Sequence, residues 1–242
     1  MRILITNDDG IYAAGVLPLV QWAKTKGEVT VVAPKVEQSA KSHGIEIHKA
    51  FEAKKVDLCE GVEAWAVDST PADCVRLAIL GLHMEFDLVI SGINRGLNIG
   101  RDTMYSGTVS AVFEAGNLGV KAMAVSTSPE YYTDAAREMD KIWNFVEKHD
   151  LFSKHDMYNI NIPTGGSDEF RFTRQGGNFY SDNFRPEAND MYFPCGVEVF
   201  APCGSKEFDT DAVLVDKVNS VMPITLDRTD LVLYRQLREM KV

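Results

Sequence analysis

Residues 2–34 read RILITNDDGIYAAGVLPLVQWAKTKGEVTVVAP, and three pieces of that stretch set the architecture. Arg2-Ile-Leu-Ile-Thr6 is short, apolar and β-branched, the pattern of a buried strand. Between Ala14 and Lys26, residues Val16, Leu17, Leu19, Val20 and Ala23 recur at helical spacing, and Gly27 closes the segment. Glu28-Val-Thr-Val-Val-Ala33 is a second strand, stopped by Pro34. Strand, helix and strand in this order make a βαβ unit, with a parallel pair and a right-handed crossover.

Working outward, strand-like runs recur at 45–48, 62–67, 86–90, 121–126 and 158–162. Helical patterns cover Pro71 to about Leu82, Thr108 to about Leu118 and Thr133 to about Lys148, and Pro71 suits a first helical turn, where its missing N–H costs nothing. The spacing predicts an α/β fold, a doubly wound and mostly parallel sheet covered on both faces. In such sheets ligands bind beyond the carboxyl ends of the strands.

After Pro163 the chain turns rich in Gly, Asn, Asp, Pro and aromatics. We read residues 1–163 as the catalytic core and 164–242 as β-hairpin extensions that serve oligomerisation, part of them returning to the core. Short strand-like pieces stand at 170–173 and 197–200, and a helix is expected over 231–240. A lone hairpin is marginal in water, so Phe179, Tyr180, Phe184, Tyr192 and Phe193 suit packing against a second subunit.

The chain has 242 residues, and its 25 Lys and Arg against 35 Asp and Glu give a formal net charge of -10. That balance argues against duplex nucleic acid as a partner, because phosphate backbones are held by clustered cations. A small phosphorylated ligand is still compatible, since a bound metal supplies positive charge locally. No run of 18 apolar residues and no signal-peptide pattern occurs, so no membrane role and a cytoplasmic location are expected. Cys59, Cys74, Cys195 and Cys203 form no CxxC pair and read as reduced structural thiols.

Four segments with chemical potential stand at expected strand ends. Asn7-Asp-Asp-Gly10 follows the first strand, and its two adjacent carboxylates read either as a cation site or as a solvated turn. Ser39 lies in the loop after the second strand, within reach of the first strand's end. Asn94 and Asn98 sit among Gly92, Gly96 and Gly100, whose spacing matches neither the dinucleotide fingerprint nor a Walker loop. Ser106-Gly-Thr108 opens a helix, where hydroxyls and free N–H groups suit a phosphate or simply cap the helix. Taken together, Asp8, Asp9, Ser39 and Asn94 would give an all-oxygen set favouring a hard cation such as Mg²⁺, Mn²⁺ or Ca²⁺ over zinc. None of the five histidines sits at metal-ligand spacing with another. His43 reads as a solvated loop residue or a substrate contact.

These segments resemble the survival protein SurE family, metal-dependent 5′/3′-nucleotidases and acid phosphatases. The resemblance rests on Met1-Arg-Ile-Leu-Ile-Thr-Asn-Asp-Asp-Gly-Ile11, Val31-Val-Ala-Pro34 with Gln38-Ser39, Thr70-Pro-Ala-Asp-Cys-Val75, Ser91-Gly-Ile-Asn94, Tyr105-Ser-Gly-Thr-Val109 and Ala122-Met-Ala-Val-Ser126. It implies a Rossmann-like core, one divalent metal ion (Mg²⁺ or Mn²⁺) on Asp8, Asp9, Ser39 and Asn94, and phosphoryl contacts at Asn94, Asn98, Ser106, Gly107 and Thr108. It further implies a homodimer or homotetramer with exchanged C-terminal elements. Ala14, Ala40, Asp68-Ser69 and Val218-Asn-Ser220 depart from the family pattern without removing a proposed ligand.

The function expected is hydrolysis of nucleoside monophosphates by metal-activated water, with Asp8 or Asp9 as catalytic proton acceptor. A covalent aspartyl-phosphate route is disfavoured because Gly10 stands where a second Asp would be needed. The alternative is a nucleotide- or metal-sensing binding module without turnover.

Overall fold

The strand Arg2–Thr6 (β1) is apolar in both directions: Ile3 and Ile5 enter one face of a sheet, Leu4 enters the other, and all three are fully buried. Each such side chain contributes roughly 1.5–3 kcal/mol by leaving water. The computed structural model describes residues 1–240. The strands that follow are β2 (Glu28–Pro34), β3 (Ala53–Lys55), β4 (Glu63–Val67), β5 (Leu88–Arg95), β6 (Lys121–Thr127), β7 (Met157–Ile162) and β8 (Phe170–Phe172). Then come the short pieces β9 (Tyr180–Ser181), β10 (Phe184–Pro186), β11 (Tyr192–Pro194) and β12 (Val197–Glu198), and finally β13 (Asn219–Pro223).

Nine strands form one sheet in the order β3-β4-β2-β1-β5-β6-β7-β13-β8. The pairings from β4 through β7 are parallel, whereas β3 and β13 run antiparallel to β4 and β7. Helices α1 (Val16–Ala23) and α4 (Met139–Lys148) cover the Ile3 face. On the Leu4 face lie α2 (Pro71–Arg76) and α3 (Gly107–Asn117). The chain builds β1, β2 and β4 in one direction and then returns to lay β5 on the other side of β1. That reversal opens a crevice beyond the carboxyl ends of β1 and β5, where ligands of doubly wound sheets bind.

The mostly parallel α/β architecture agrees with the sequence reading, and four local expectations are corrected. Residues 45–48 form no strand and remain irregular, although Ile45 and Ile47 alternate with polar neighbours. The helix expected over 133–148 begins as a 3₁₀ turn at Ala135–Glu138 before α4. Residues 170–172 do not project as a hairpin: they pair in parallel with β13 at the sheet edge. Strand β13 itself went unrecognised because Asn219 and Ser220 interrupt its apolar character, yet both are buried. Real hairpin pairings occur further out, between β10 and β11 and between β9 and β12. A short helix α5 (Leu151–Lys154) precedes β7, α6 (Asp209–Leu214) precedes β13, and α7 (Leu231–Glu239) ends the chain with no buried residue. The final two residues of the 164–242 segment lie outside the described residues.

Candidate functional site

Beyond Thr6 the chain turns at once. Asn7 Nδ2 donates to Gly10 O at 2.8 Å, Gly10 adopts φ +100°, and Ile11 N donates to Pro34 O at 2.8 Å, so the turn is tied to the end of β2. Asp8 and Asp9 are thereby presented side by side at the crevice. Asp8 is 5% exposed. Thr108 donates to it twice, from Oγ1 to Oδ1 at 2.5 Å and from N to Oδ2 at 3.3 Å. The positive N-terminal end of α3 thus faces this carboxylate. Only glycine fits at position 107, since a Cβ there would stand 2.9 Å from Asp8 Cβ.

Burial pushes the Asp8 carboxyl up to about 6, against the pull of the Thr108 hydroxyl bond and with a further push from the charge of Asp9. Burial also raises Asp9, although its Oδ2 accepts the Arg95 N–H at 2.9 Å. Two neighbouring carboxylates both shifted upward are a pair short of positive charge.

The other segments converge on this pair through the backbone. Gln38 N donates to Asp8 O at 2.7 Å, which brings the neighbouring Ser39 to the rim of the crevice. Ser39 Oγ is exposed and donates to Glu37 Oε1 at 2.6 Å, leaving its lone pairs open. Ala40 and Ser42 stand in the left-handed region at φ 58° and 53°, at a cost of roughly 1–2 kcal/mol each for a residue with a Cβ. Asn94 arrives at the end of β5, after a register shift between Ser91 and Asn94. Its Nδ2 donates to Gly96 O at 2.8 Å, which turns Oδ1 into the available end. Gly92 is required by the close approach of Val125 O.

The expected phosphate contacts divide. Asn98 is held in a buried amide network: its N donates to Asn161 Oδ1 at 2.8 Å, its O accepts Asn159 Nδ2 at 2.8 Å and Asn161 Nδ2 at 2.9 Å, and its Nδ2 donates to Ser126 Oγ at 2.7 Å. Ser106 caps α3, its Oγ accepting Val109 N at 3.0 Å. Thr108 gives both its donors to Asp8. Gly107 packs tightly beside Asp8, leaving no room for a side chain between them.

Three contributors escaped the sequence reading. Tyr132, 8% exposed, accepts Gly15 N–H at 2.8 Å and lies against Asp9, and its phenol is pushed up to about 12, chiefly by burial. Nothing in its polar surroundings marks it. Asn159 and Asn161 were legible in principle, because two amides in an otherwise apolar buried strand need partners inside the fold. His43 is half-buried rather than freely solvated, and its Nε2 meets Glu114 Oε2 at 2.7 Å.

Among the described residues no group of three or more His, Cys, Asp or Glu is placed to hold an ion. A cation between Asp8 and Asp9 would therefore complete its shell with neutral oxygens, for which Ser39 Oγ and Asn94 Oδ1 are the candidates. Carboxylate, hydroxyl and amide oxygens form a hard donor set that suits a hard divalent cation and disfavours zinc.

Comparison with known proteins places this geometry. Residues 3–182 match the profile of a family described as "Survival protein SurE". The chain is 39% identical to the "5′-nucleotidase SurE" of Thermoanaerobacter sp. (strain X514), across 95% of this chain and 94% of that protein. It is 38% identical to the protein of the same name from Thermosipho melanesiensis, across 99% and 97%. Among solved structures, the crystal structure of the Sure protein from Aquifex aeolicus superposes with a TM-score of 0.81 at 30% identity, covering 98% of each chain.

Proposed function

The chain belongs to the survival protein SurE family, and from that premise we propose that it is a metal-dependent 5′-nucleotidase that hydrolyses nucleoside monophosphates. The observation that carries this reading is the Asp8–Asp9 pair at the reversal of strand order, to which the neighbours of Ser39 and Asn94 are bonded, Gln38 N donating to Asp8 O and Arg95 N to Asp9 Oδ2.

Asp8, Asp9, Ser39 and Asn94 would hold one divalent ion, Mg²⁺ or Mn²⁺. Such an ion supplies Lewis acidity toward a phosphoryl oxygen and toward the attacking water. Asp8 commits both oxygens to Thr108, so its role is to anchor. Asp9 is the more exposed of the two and accepts the water's proton. The remaining amide hydrogen of Asn98, whose side chain is fixed by Ser126 and whose backbone is fixed by Asn159 and Asn161, and the helix opening at Ser106 and Gly107 would donate to the equatorial oxygens as negative charge develops there. Thr108, with both donors on Asp8, acts through that carboxylate. Because the amide network is already assembled, little reorganisation is required when substrate arrives.

The assembly is a homodimer or homotetramer. Support comes from the exposed Phe184, Met191, Tyr192 and Phe193 of the β10–β11 hairpin and from α7, whose Leu231, Val232, Leu233 and Leu237 are all exposed. No helix among the described residues is long and apolar enough to cross a membrane, and the enzyme is assigned to the cytoplasm.

The decisive experiment measures phosphate release from a panel of nucleoside monophosphates with Mg²⁺, with Mn²⁺ and with chelator. Metal-dependent release, lost in Asp8→Asn while the far-UV spectrum is retained, is the expected result. Nucleotide binding without release in either metal would instead establish a sensing module, and full activity in Asp8→Asn would remove the aspartate pair from the mechanism.

A further inference from the structure

Helix α3 holds one proposed metal ligand directly and grips the loop that carries another. At its N-terminal end Thr108 holds the Asp8 carboxylate. Six residues further along, a distance of about 9 Å on a helix, Glu114 is 3% exposed and binds two partners with its two oxygens. Oε2 meets His43 Nε2 at 2.7 Å and Oε1 meets Arg76 Nη1 at 3.2 Å. The imidazole also stacks on Phe113 of the same helix, with ring centres 6.4 Å apart and planes at 22°. These partners hold the Glu114 carboxyl below the usual range, the His43 hydrogen bond most of all.

His43 lies four residues past Ser39. Between them Ala40 and Ser42 occupy the left-handed region without being glycines, a conformation that persists only where the surroundings impose it. Ser42 is tied to the backbone of Met104 and Tyr105, and Thr70 Oγ1 donates to Gly44 O. Among the described residues, His43–Glu114 is the contact by which a side chain of this loop grips a buried side chain of the core. One rigid helix thus registers the Asp8 donor and the loop that carries the Ser39 donor.

We propose that His43 is a positioning residue for the metal site, locking the Ser39 loop in ligating position by gripping Glu114 of the helix that also holds Asp8. The inference rests on the metal-site reading above, and one set of variants separates the two. Mn²⁺ binding is measured without substrate, from the free-ion electron paramagnetic resonance signal, for the wild type and for Asp8→Asn, Ser39→Ala, His43→Ala, His43→Gln and the Ser39→Ala/His43→Ala double variant.

His43→Ala should weaken Mn²⁺ binding about tenfold, the lower end for loss of an outer-shell partner, while kcat at saturating Mn²⁺ is retained. His43→Gln, still able to donate to Glu114, should recover most of the affinity. In the Ser39→Ala background, adding His43→Ala should change nothing further, because the donor it positions is already gone. Wild-type Mn²⁺ affinity in His43→Ala, or an equal loss with and without Ser39, overturns the proposal. Wild-type affinity in Asp8→Asn overturns the metal-site reading itself. Should His43→Ala not fold, Glu114→Leu, which leaves Nε2 without an acceptor, takes its place: weakened binding with kcat retained at saturation supports the proposal, and unchanged binding refutes it.

Discussion

Gly107→Ala isolates the geometry of the site from the stability of the fold. The added Cβ would stand 2.9 Å from Asp8 Cβ, 3.0 Å from Asp8 Oδ2 and 3.1 Å from Pro71 Cγ, about 0.5 Å inside ordinary carbon contact. Pro71 is fixed as the first residue of α2 and is buried, so it does not yield. Asp8 must therefore shift from its Cβ outward, which strains the two Thr108 bonds to its carboxylate. Alanine is meanwhile the better helix former, by up to about 1 kcal/mol, so the helix opening partly offsets the strain. A misplacement of 1 Å at a reacting centre costs about 100-fold in rate. Half that displacement implies about tenfold, or ~1.4 kcal/mol of transition-state stabilisation. The assay is phosphate release from a nucleoside monophosphate across a Mn²⁺ titration, alongside thermal unfolding in chelator. We expect kcat/KM to fall about tenfold, with Tm within a few degrees of the wild type. Wild-type kcat/KM at every metal concentration, together with a clearly lowered Tm, would mean that the backbone absorbs the strain and that the placement of Asp8 is not what catalysis depends on.

Three further predictions follow from the same contacts. Asp8 has a folded pKa of about 6 against an ordinary 3.8, so its favourable contribution is fully present below the ordinary value and is lost as pH rises through about 6. In chelator at pH 7, Asp8→Asn should therefore be more stable than the wild type by about 1–3 kcal/mol, and urea titrations that find it less stable contradict the burial argument. Asn161→Ala removes both its bonds to the Asn98 backbone. It should cost about 1–3 kcal/mol of stability and raise KM more than the metal requirement, so a variant with wild-type KM would exclude Asn98 from substrate binding. Tyr132→Phe strips the hydroxyl that lies between Gly15 N and Asp9. Mn²⁺ affinity measured by calorimetry should drop severalfold, whereas an unchanged isotherm would leave the hydroxyl a purely structural role.

How far the sequence carried depended on the kind of signal each element gives. β1, β2, β6 and β7 were legible because strands buried on both faces of a parallel sheet read as apolar runs. The pairing of Asp8 with Asp9 was legible because two carboxylates directly after such a run are chemically unusual. β13 was not, since Asn219 and Ser220 look like loop residues until Asn219 Nδ2 is seen donating to Ser167 O and Ser220 Oγ bonding Thr173 Oγ1. Tyr132 and the His43–Glu114 bond join residues 123 and 71 positions from Asp9 and His43 respectively in function or contact, and no local pattern encodes pairings of that range. Thr108 illustrates another case, where the residue stands out in the sequence but its partner in the structure does not. A hydroxyl at a helix opening suits a phosphate, and only the packing of α3 against α2 and over β5 and β6 brings it to Asp8 first.

The place of β13 governs how this molecule can be made. Because that strand slots between β7 and β8 near the chain's end, a ribosome that has extruded only the first 163 residues leaves the edge of β7 without a neighbour. An unpaired edge of this kind invites pairing with other chains. Synthesis must pass Pro223 before the sheet can close, so a premature stop anywhere ahead of it yields a sticky fragment rather than a smaller working enzyme.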